Sequence, residues 1–461
     1  MARVQKLSEL SQSFSFTEYD FFDFYRRSFE HTALGRMKQH LPLREMAENF
    51  GLVNKRRAPK RGRKPYFTPE GKVALMFLKM YTQTSSPKLM EQLNGNVHYQ
   101  IFCGIRINPE NPLTNYKLID DIACELAGKM KIQQLQNLLA KAWKPHMKDL
   151  DTMYTDATCY ESEMRYPTDQ KLLWECVEKG YDLMCKASRQ LGIHRPRTKF
   201  LDVEKANLTY RKQRKHNKTQ TRRITRRLLD LLGKVLREIR KMDREHEAAK
   251  LFTDREKQTI DIITKAYRQQ CNHFQSGDAR ESIPNRIVSV SKPYVRPIVR
   301  GKETKNVEFG AKCNNILVDG ISFIEKLSFN AFNEGARLPH CIKMHRRLFG
   351  MDAKKIGGDT SYAGTANRDL CKELKIQTSF VKRGKPFRVK NEKDFVRQEL
   401  ARVRATAMEG SFGTQKEHYA MRRIKARRKE TEILYIFFGI HTANAVQLAE
   451  RLMERQQAEA A

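Results

Sequence analysis

The feature that most constrains the fold is a long interruption between two sets of strand patterns. Residues 150–158 form the first pattern, which alternates and is rich in β-branched and aromatic side chains. Residues 167–272 are helical in pattern and strongly basic. Strand patterns then return after Pro284, at 286–291, 307–312, 315–320, 356–360 and 378–382, with helix patterns at 366–374, 394–408 and 434–453. This order predicts an α/β or α+β core that carries a helical insertion.

The first third of the chain is predicted to be helical and divided by a linker. Residues 1–54 form an N-terminal helical segment, residues 55–67 a basic linker broken by Pro and Gly, and residues 68–148 a further set of helices. Thr68-Pro69-Glu70 and Ser85-Ser86-Pro87 are typical helix starts. Short helices joined by tight turns predict a helix-turn-helix-like DNA-binding domain, and a purely structural helical bundle fits the pattern equally well.

The excess of basic residues indicates a polyanionic partner. The chain has 88 Lys+Arg against 53 Asp+Glu, a formal net charge of +35. Nucleic acid is the leading partner, because neutralised phosphates release counterions. An anionic membrane surface is the second possibility, and a merely solvated basic surface is the third.

Two segments concentrate this charge. Residues 210–227 contain nine Lys/Arg and no acid, which favours a DNA-binding face that includes Arg222, Arg223, Arg226 and Arg227. In the linker, Lys60-Arg-Gly-Arg-Lys-Pro65 resembles an AT-hook, in which Arg61 and Arg63 would enter a narrow minor groove. A plain flexible basic linker is the alternative for that segment.

Several classes of protein are disfavoured. No run approaches the ~18 apolar residues of a membrane span, and the N-terminal residues contain no uninterrupted apolar stretch typical of a secretory signal. The nine cysteines are scattered without a Cys-x-x-Cys pair, and the histidines show no zinc-binding spacing. We therefore expect a protein of a reducing cytosol and no zinc site.

Three acids stand apart from the charged helices. Asp156 ends the first strand pattern, Asp359 follows Gly357-Gly358 at the end of another, and Glu409 lies where Met408–Gly413 is predicted to close a helix. Residues so distant in sequence converge only through the fold. Hard divalent cations prefer carboxylate oxygens, and a two-metal site requires such acids.

At these acids the chain resembles the DDE transposases of bacterial insertion sequences, in the branch with a Tyr-Arg-Glu-Lys signature. Four blocks carry the resemblance in the family's order. They are Thr155–Thr158 with Arg165–Asp169, Pro297–Lys302 with Val307–Lys312, Gly358–Tyr362, and Glu409–Lys416 with His418-Tyr419 and Arg422–Lys425. The family places an Arg four residues before the Glu, where this chain has Ala405, with Arg404 and Arg402 nearby.

The resemblance implies a ribonuclease H-like mixed sheet flanked by helices. Residues 149–170 and 284–461 would form this catalytic domain, and residues 171–283 would be the basic insertion. Asp156, Asp359 and Glu409 would bind two Mg²⁺ ions, with Mn²⁺ as a substitute, for cleavage and strand transfer. The implied partners are double-stranded DNA, as element ends and target, and a second copy of the chain assembled on that DNA. The implied location is the bacterial cytoplasm, in association with the nucleoid. The implied DNA contacts are Lys416, Tyr419, Arg422, Arg423 and Arg404.

Two other functions remain open from the sequence. One is a DDE-type nuclease that cuts DNA without strand transfer. The other is a non-catalytic, domesticated DNA-binding protein that has kept only the basic surfaces, although the presence of all three acids disfavours it.

Overall fold

The computed structural model describes residues 18–53, 65–277, 283–299, 307–381 and 392–460, with side chains from residue 24 to residue 459. These residues form a mixed α/β structure in which helices flank a curled mixed sheet. Sixteen α-helices lie within the described residues: α1 (Glu18–Glu30), α2 (Ala33–Gln39), α3 (Leu43–Asn49), α4 (Pro69–Thr82), α5 (Ser86–Gly95), α6 (Val97–Cys103), α7 (Lys117–Lys129), α8 (Ile132–Trp143), α9 (Asp169–Gln190), α10 (Phe200–Lys212), α11 (Lys218–His246), α12 (Asp254–Ser276), α13 (Leu338–Phe349), α14 (Thr365–Glu373), α15 (Glu392–His418) and α16 (Lys429–Ala460).

One sheet connects the seven described strands. They are β1 (Thr152–Ser162), β2 (Pro297–Val299), β3 (Val307–Val318), β4 (Ile321–Ser328), β5 (Lys355–Gly358), β6 (Gln377–Thr378) and β7 (Arg423–Ile424). Their order is β2-β3-β1-β5-β6, with β4 also paired to β3 and β7 to β1. β1 is central: it is antiparallel to β3 on one edge and parallel to β5 and β7 on the other. The first strand and the strands that follow the insertion therefore belong to the same sheet.

The β3–β4 connection is a tight hairpin turn. Asp319 and Gly320 both have positive φ, 47° and 77°. Two consecutive left-handed residues are what a two-residue hairpin loop of this twist requires, and Asp-Gly supplies them at low cost. An Asp-Gly pair between two strands is therefore a local signal for this turn.

The N-terminal helices share one hydrophobic core with the sheet. Trp143 is fully buried, and its Nε1 donates to the carbonyl of His40 at 2.9 Å. Phe438 of α16 packs edge-on against Phe77 of α4, with ring centroids 4.9 Å apart. α4 begins at the predicted Thr68 N-cap, whose side chain accepts from the Gly71 N–H. The C-terminal helix α16 thus joins the N-terminal helices to the sheet.

The predicted insertion forms a second core, to which Ile287 and Val290 just after it also contribute. α9, α11 and α12 bury an apolar stripe that includes Leu228, Leu232 and Val235 of α11. Leucines at this helical spacing account for the long amphipathic helix that the sequence predicts. None of the described helices is long and apolar enough to cross a membrane.

Several secondary-structure predictions were wrong. Residues 286–291 form no strand, because the Ile287 N–H bonds the Gln269 side chain of α12 and Arg286 pairs with Asp169 of α9. The patterns at 307–312 and 315–320 are one strand, β3, and β4 was missed. The helix predicted to close at Met408–Gly413 continues through both glycines to His418.

Candidate active site

Asp156 and Asp359 lie side by side because β1 and β5 are adjacent and parallel. The register ends with Thr155 opposite Gly358, so Asp156 is the next residue of β1 and Asp359 is the residue that follows β5. The prediction that Asp156 ends the first strand was wrong, because β1 continues along β3 to Ser162. On this edge of β1, the described strand β5 covers residues 152–155 and the described strand β7 covers residues 161–162. The two aspartates therefore lie just beyond the last β1–β5 pair, where no described strand pairs with this edge of β1. Asp359 thus stands at the carboxyl end of β5, a common place for binding and catalytic groups in parallel sheets, whereas Asp156 lies within β1.

Asp359 is held by the turn that it begins. Its Oδ1 accepts from the Thr360 N–H at 2.5 Å and from the Thr360 hydroxyl at 3.3 Å. The preceding Gly358 is clamped by Ser379, whose hydroxyl accepts from the Gly358 N–H at 3.0 Å and donates to its carbonyl at 2.9 Å. The N–H and the carbonyl of the residue that precedes Asp359 are thus both fixed.

Asp156 is a mostly buried carboxylate with a cationic partner. Its Oδ2 accepts from the guanidinium of Arg404, and the two side chains are 15% and 17% exposed. Its Oδ1 accepts from the Ala157 N–H at 2.8 Å. Burial raises the pKa of Asp156, the negative charges of Glu334 and Asp359 act in the same direction, and Arg404 and the Ala157 N–H oppose them. Several carboxylates therefore share this part of the molecule, which favours binding of a cation.

Helix α15 crosses one face of β1 and carries Glu409. The Lys416 ammonium donates to the Thr158 hydroxyl at 2.8 Å, and Gln415 accepts from the Tyr160 hydroxyl at 2.5 Å. With the Arg404–Asp156 pair, α15 contacts three alternate residues of the strand. Because alternate strand residues share a face, the same face of β1 presents Asp156, Thr158 and Tyr160 to this helix.

Glu409 lies on α15, the helix that packs against β1, but its side chain does not join Asp156 and Asp359. The side chain is exposed, while the preceding Met408 is buried with Phe412 against Leu317. No three His, Cys, Asp or Glu side chains in the described part of the chain are grouped closely enough to hold a metal ion. The structure thus juxtaposes two of the three predicted acids and places the third on the helix that packs over them.

The other predicted DNA contacts near α15 have mixed surroundings. Arg422 pairs with Glu417 at 3.3 Å and Arg423 with Glu163 at 3.8 Å, and all four side chains are more than 40% exposed. Tyr419 is only 8% exposed, and burial raises its pKa to about 12. The two arginines lie on the surface, whereas the tyrosine ring belongs to the core.

The basic residues of the insertion lie at the start of α11. Arg222, Arg223 and Arg226 are exposed, with the Arg222 guanidinium 5.1 Å from the Phe274 ring centre, and Arg227 is partly buried and donates to the Asp202 carbonyl at 3.3 Å. Arg61 and Arg63 of the AT-hook-like linker lie outside the described residues.

Sequence reasoning missed Glu334 as a neighbour of Asp156. Glu334 pairs with Lys312 of β3 at 2.7 Å, and their side chains are 20% and 11% exposed. Lys312 did offer a signal, because a charged residue in the middle of a buried strand indicates a paired partner. The identity of that partner depends on a contact between residues far apart in sequence.

The comparisons with known proteins bear on the N-terminal helices. Residues 22–120, which include α2 to α6, most of α1 and the first turn of α7, match the family model described as Transposase domain (DUF772). No curated protein and no solved structure matches the chain. The chain therefore carries a region similar to a transposase domain, which supports membership of a transposase family.

Proposed function

We propose that the protein is a DDE-type DNA transposase with a ribonuclease H-like catalytic domain. The observation that carries the proposal is the juxtaposition of Asp156 and Asp359 on adjacent parallel strands, beneath the helix that carries Glu409. The match at residues 22–120 supports the same function from a different part of the chain. Its reactions would be cleavage at the inverted-repeat ends of an insertion sequence and joining of the 3′ ends to target DNA.

The donor groups suit Mg²⁺. Carboxylate oxygens are its preferred protein ligands, and Asp156 already pairs with a cationic group, the Arg404 guanidinium. Asp156, Asp359 and Glu409 are the residues that would hold two ions, with Mn²⁺ as a substitute. When bound, such ions activate an attacking oxygen and stabilise the leaving oxygen of an in-line phosphoryl displacement.

The protein's own side chains would orient the DNA at this site. Lys416 is fixed between the Thr158 hydroxyl and the Tyr160 ring, whose centre is 5.9 Å from its Nζ. An ammonium held at this face of β1 provides a positive charge for a backbone phosphate. Arg422 and Arg423 extend the positive charge along the surface beyond the end of α15. These residues would align the scissile phosphate with Asp156 and Asp359.

The insertion would hold DNA away from the reaction centre. The exposed arginines at the start of α11 form a basic face without an acid between residues 210 and 227. Phosphate contacts of this kind position DNA without reading its sequence. We propose double-stranded DNA as the partner, with element ends and target bound by a homodimer that assembles on the DNA.

The test uses a duplex that carries the inverted repeats found in the DNA flanking the gene. Wild-type protein with Mg²⁺ should cut this duplex at the repeat ends, and Asp156→Ala and Glu409→Ala should not. Both variants should retain the wild-type mobility shift, because neither acid supplies a positive contact to phosphate. Unchanged cleavage by either variant would refute its catalytic assignment, and added plasmid DNA would separate a transposase, which joins ends to it, from a nuclease.

A further inference from the structure

The turn that carries Asp359 is anchored from below by Tyr362. The Tyr362 N–H donates to the Asp359 carbonyl at 2.9 Å and so closes the turn. Its ring is fully buried, and its hydroxyl donates to Asn314 Oδ1 of β3 at 2.5 Å. Asn367 supports the same residue by donating to the Tyr362 carbonyl at 2.9 Å. The position of Asp359 therefore depends on where Tyr362 is held.

The orientation of Asn314 is fixed by charge. Its Nδ2 donates to Glu325 Oε2 at 3.0 Å, and Glu325 forms a two-pronged ion pair with Arg337. The side chains of Arg337 and Glu325 are 18% and 4% exposed, and Asn314 is fully buried. Because a carboxylate accepts and cannot donate, it turns the amide nitrogen toward itself and the amide oxygen toward Tyr362.

This network also reaches the other aspartate. Asn314 stands directly opposite Ala157 in the β1–β3 register, and Ala157 is the residue whose N–H bonds Asp156. Asn314 is thus linked to both aspartates. Its backbone lies opposite Ala157, the neighbour of Asp156, and its side chain holds Tyr362, which closes the turn of Asp359. A rigid buried network of this kind is how proteins hold metal-binding carboxylates at a constant separation.

We propose that Tyr362 and Asn314 are positioning residues that set the place of Asp359 relative to Asp156 through their shared hydrogen bond. The inference rests on the proposed function, since it concerns the same carboxylates. It assigns no contact with DNA to either residue. Loss of the bond should impair cation binding and the chemical step and leave the affinity for DNA unchanged.

The test compares the full-length wild type with Tyr362→Phe, which removes only the hydroxyl. Cleavage of the inverted-repeat duplex at saturating DNA should slow by about 10- to 100-fold, with the KM for DNA unchanged. Affinity for Mn²⁺, titrated by electron paramagnetic resonance without DNA, should fall over the same range. Asn314→Leu should act in the same direction. The double variant should lose less than the product of the two single effects, because both remove one bond.

Tyr294→Phe is the matched control. The Tyr294 hydroxyl donates to Glu432 Oε2 at 2.8 Å, so this variant also removes a tyrosine-to-acceptor bond, at a place that does not contact Asp359. It should keep the wild-type rate and Mn²⁺ affinity. Equal losses in both tyrosine variants, or wild-type behaviour of Tyr362→Phe, would overturn the positioning role and leave the proposed function intact. A wild-type protein that neither cleaves the duplex nor binds Mn²⁺ would overturn both.

Discussion

The sheet region and the insertion differ in whether their charged side chains are buried or exposed. Among the described residues, buried charged side chains include those of Lys79, Lys292, Glu308, Lys312, Glu325 and Glu432, and all six lie outside residues 171–283. Lys292 and Glu432 form an ion pair with exposures of only 8% and 0%. The insertion instead buries an apolar stripe and places its arginines on the surface.

This difference separates two kinds of electrostatics. Buried charges are costly unless they are paired, and their pairs fix geometry with little dependence on salt. Surface charges are screened and adaptable, and they suit a polyanion whose sequence is not read. We therefore expect chemistry to depend on the sheet region and DNA affinity to depend on the insertion.

The largest effect should follow from Asp359→Asn. The amide removes a negative charge beside Asp156 with little change in shape, so cleavage should fall by roughly 10⁴-fold while the mobility shift is retained. Asp352→Asn is the control, because Asp352 lies just before β5, is 54% exposed and pairs with Arg346 at 2.6 Å. Cleavage rates of Asp359→Asn within tenfold of wild type would remove this residue from the site.

The next effect concerns the salt dependence of DNA binding. Changing Arg222, Arg223, Arg226 and Arg227 together to Gln should lower the slope of log K against log salt by about three to four, if each contacts one phosphate. The measurement is a set of fluorescence-anisotropy titrations between 50 and 200 mM salt. The control changes Lys241 and Arg244, near the other end of α11, to Gln. Acids alternate with these two residues, so the slope should stay close to that of the wild type. An unchanged slope would mean that this basic face is only solvated.

The separate core of the insertion can be tested with Leu232→Ala. Leu232 is fully buried in α11, and its truncation should destabilise the insertion by about 3 kcal/mol. Hydrogen exchange should accelerate in α9, α11 and α12 and stay unchanged in β1 and β3, because Leu232 packs only in the insertion core. Equal acceleration in both regions would show that they unfold as one unit.

A smaller effect is expected from Arg404→Gln. This change leaves the Asp156 carboxylate without its cationic partner and should cost about 2 kcal/mol of unfolding free energy, less than for a fully buried pair because both side chains keep some exposure. Urea unfolding of the protein without divalent cations measures this cost. Arg402→Gln, which breaks a surface pair with Glu399, is the control and should have no measurable effect. Equal stabilities of Arg404→Gln and wild type would mean that the buried pair contributes nothing to the fold.

Local chemistry explains which parts of the fold could be predicted. The N-caps Thr68 and Ser85 depend on neighbouring residues only, and the helix starts there were predicted correctly. The turn at Asp319-Gly320 is local in the same way. The continuation of α15 through Gly410 and Gly413 was missed. Two glycines cost a helix about 2 kcal/mol together, and packing of the flanking Met408 and Phe412 against β3 offsets this cost.

The site was less accessible to sequence reasoning because it depends on pairing across the sheet. The resemblance named Asp156 and Asp359, and the β1–β5 register shows that they adjoin. No single-sequence pattern indicates that Arg404 pairs with Asp156 across 248 positions of the chain. The same holds for the approach of Glu334. Such contacts arise from strand order, which local propensity does not encode.

The smallest effect should be seen in acid, at the start of α12. Thr253 and Glu256 form a capping box, and Lys186 of α9 donates to Glu256 at 2.7 Å. The bonds from Lys186 and from the Thr253 N–H lower the pKa of Glu256 from 4.5 to about 2. The stability that this carboxylate gives the insertion is therefore present above pH 4.5 and is lost as the pH falls toward 2.

Glu256→Gln should cost less than about 1 kcal/mol of unfolding free energy at neutral pH and should flatten the acid dependence of hydrogen exchange in α12. Asp254→Asn is the control, because it removes an acid from the same turn without breaking the capping box, and it should keep the wild-type acid dependence. If Glu256→Gln and wild type showed the same acid dependence of exchange, the Glu256 carboxylate would not contribute to the stability of this helix start.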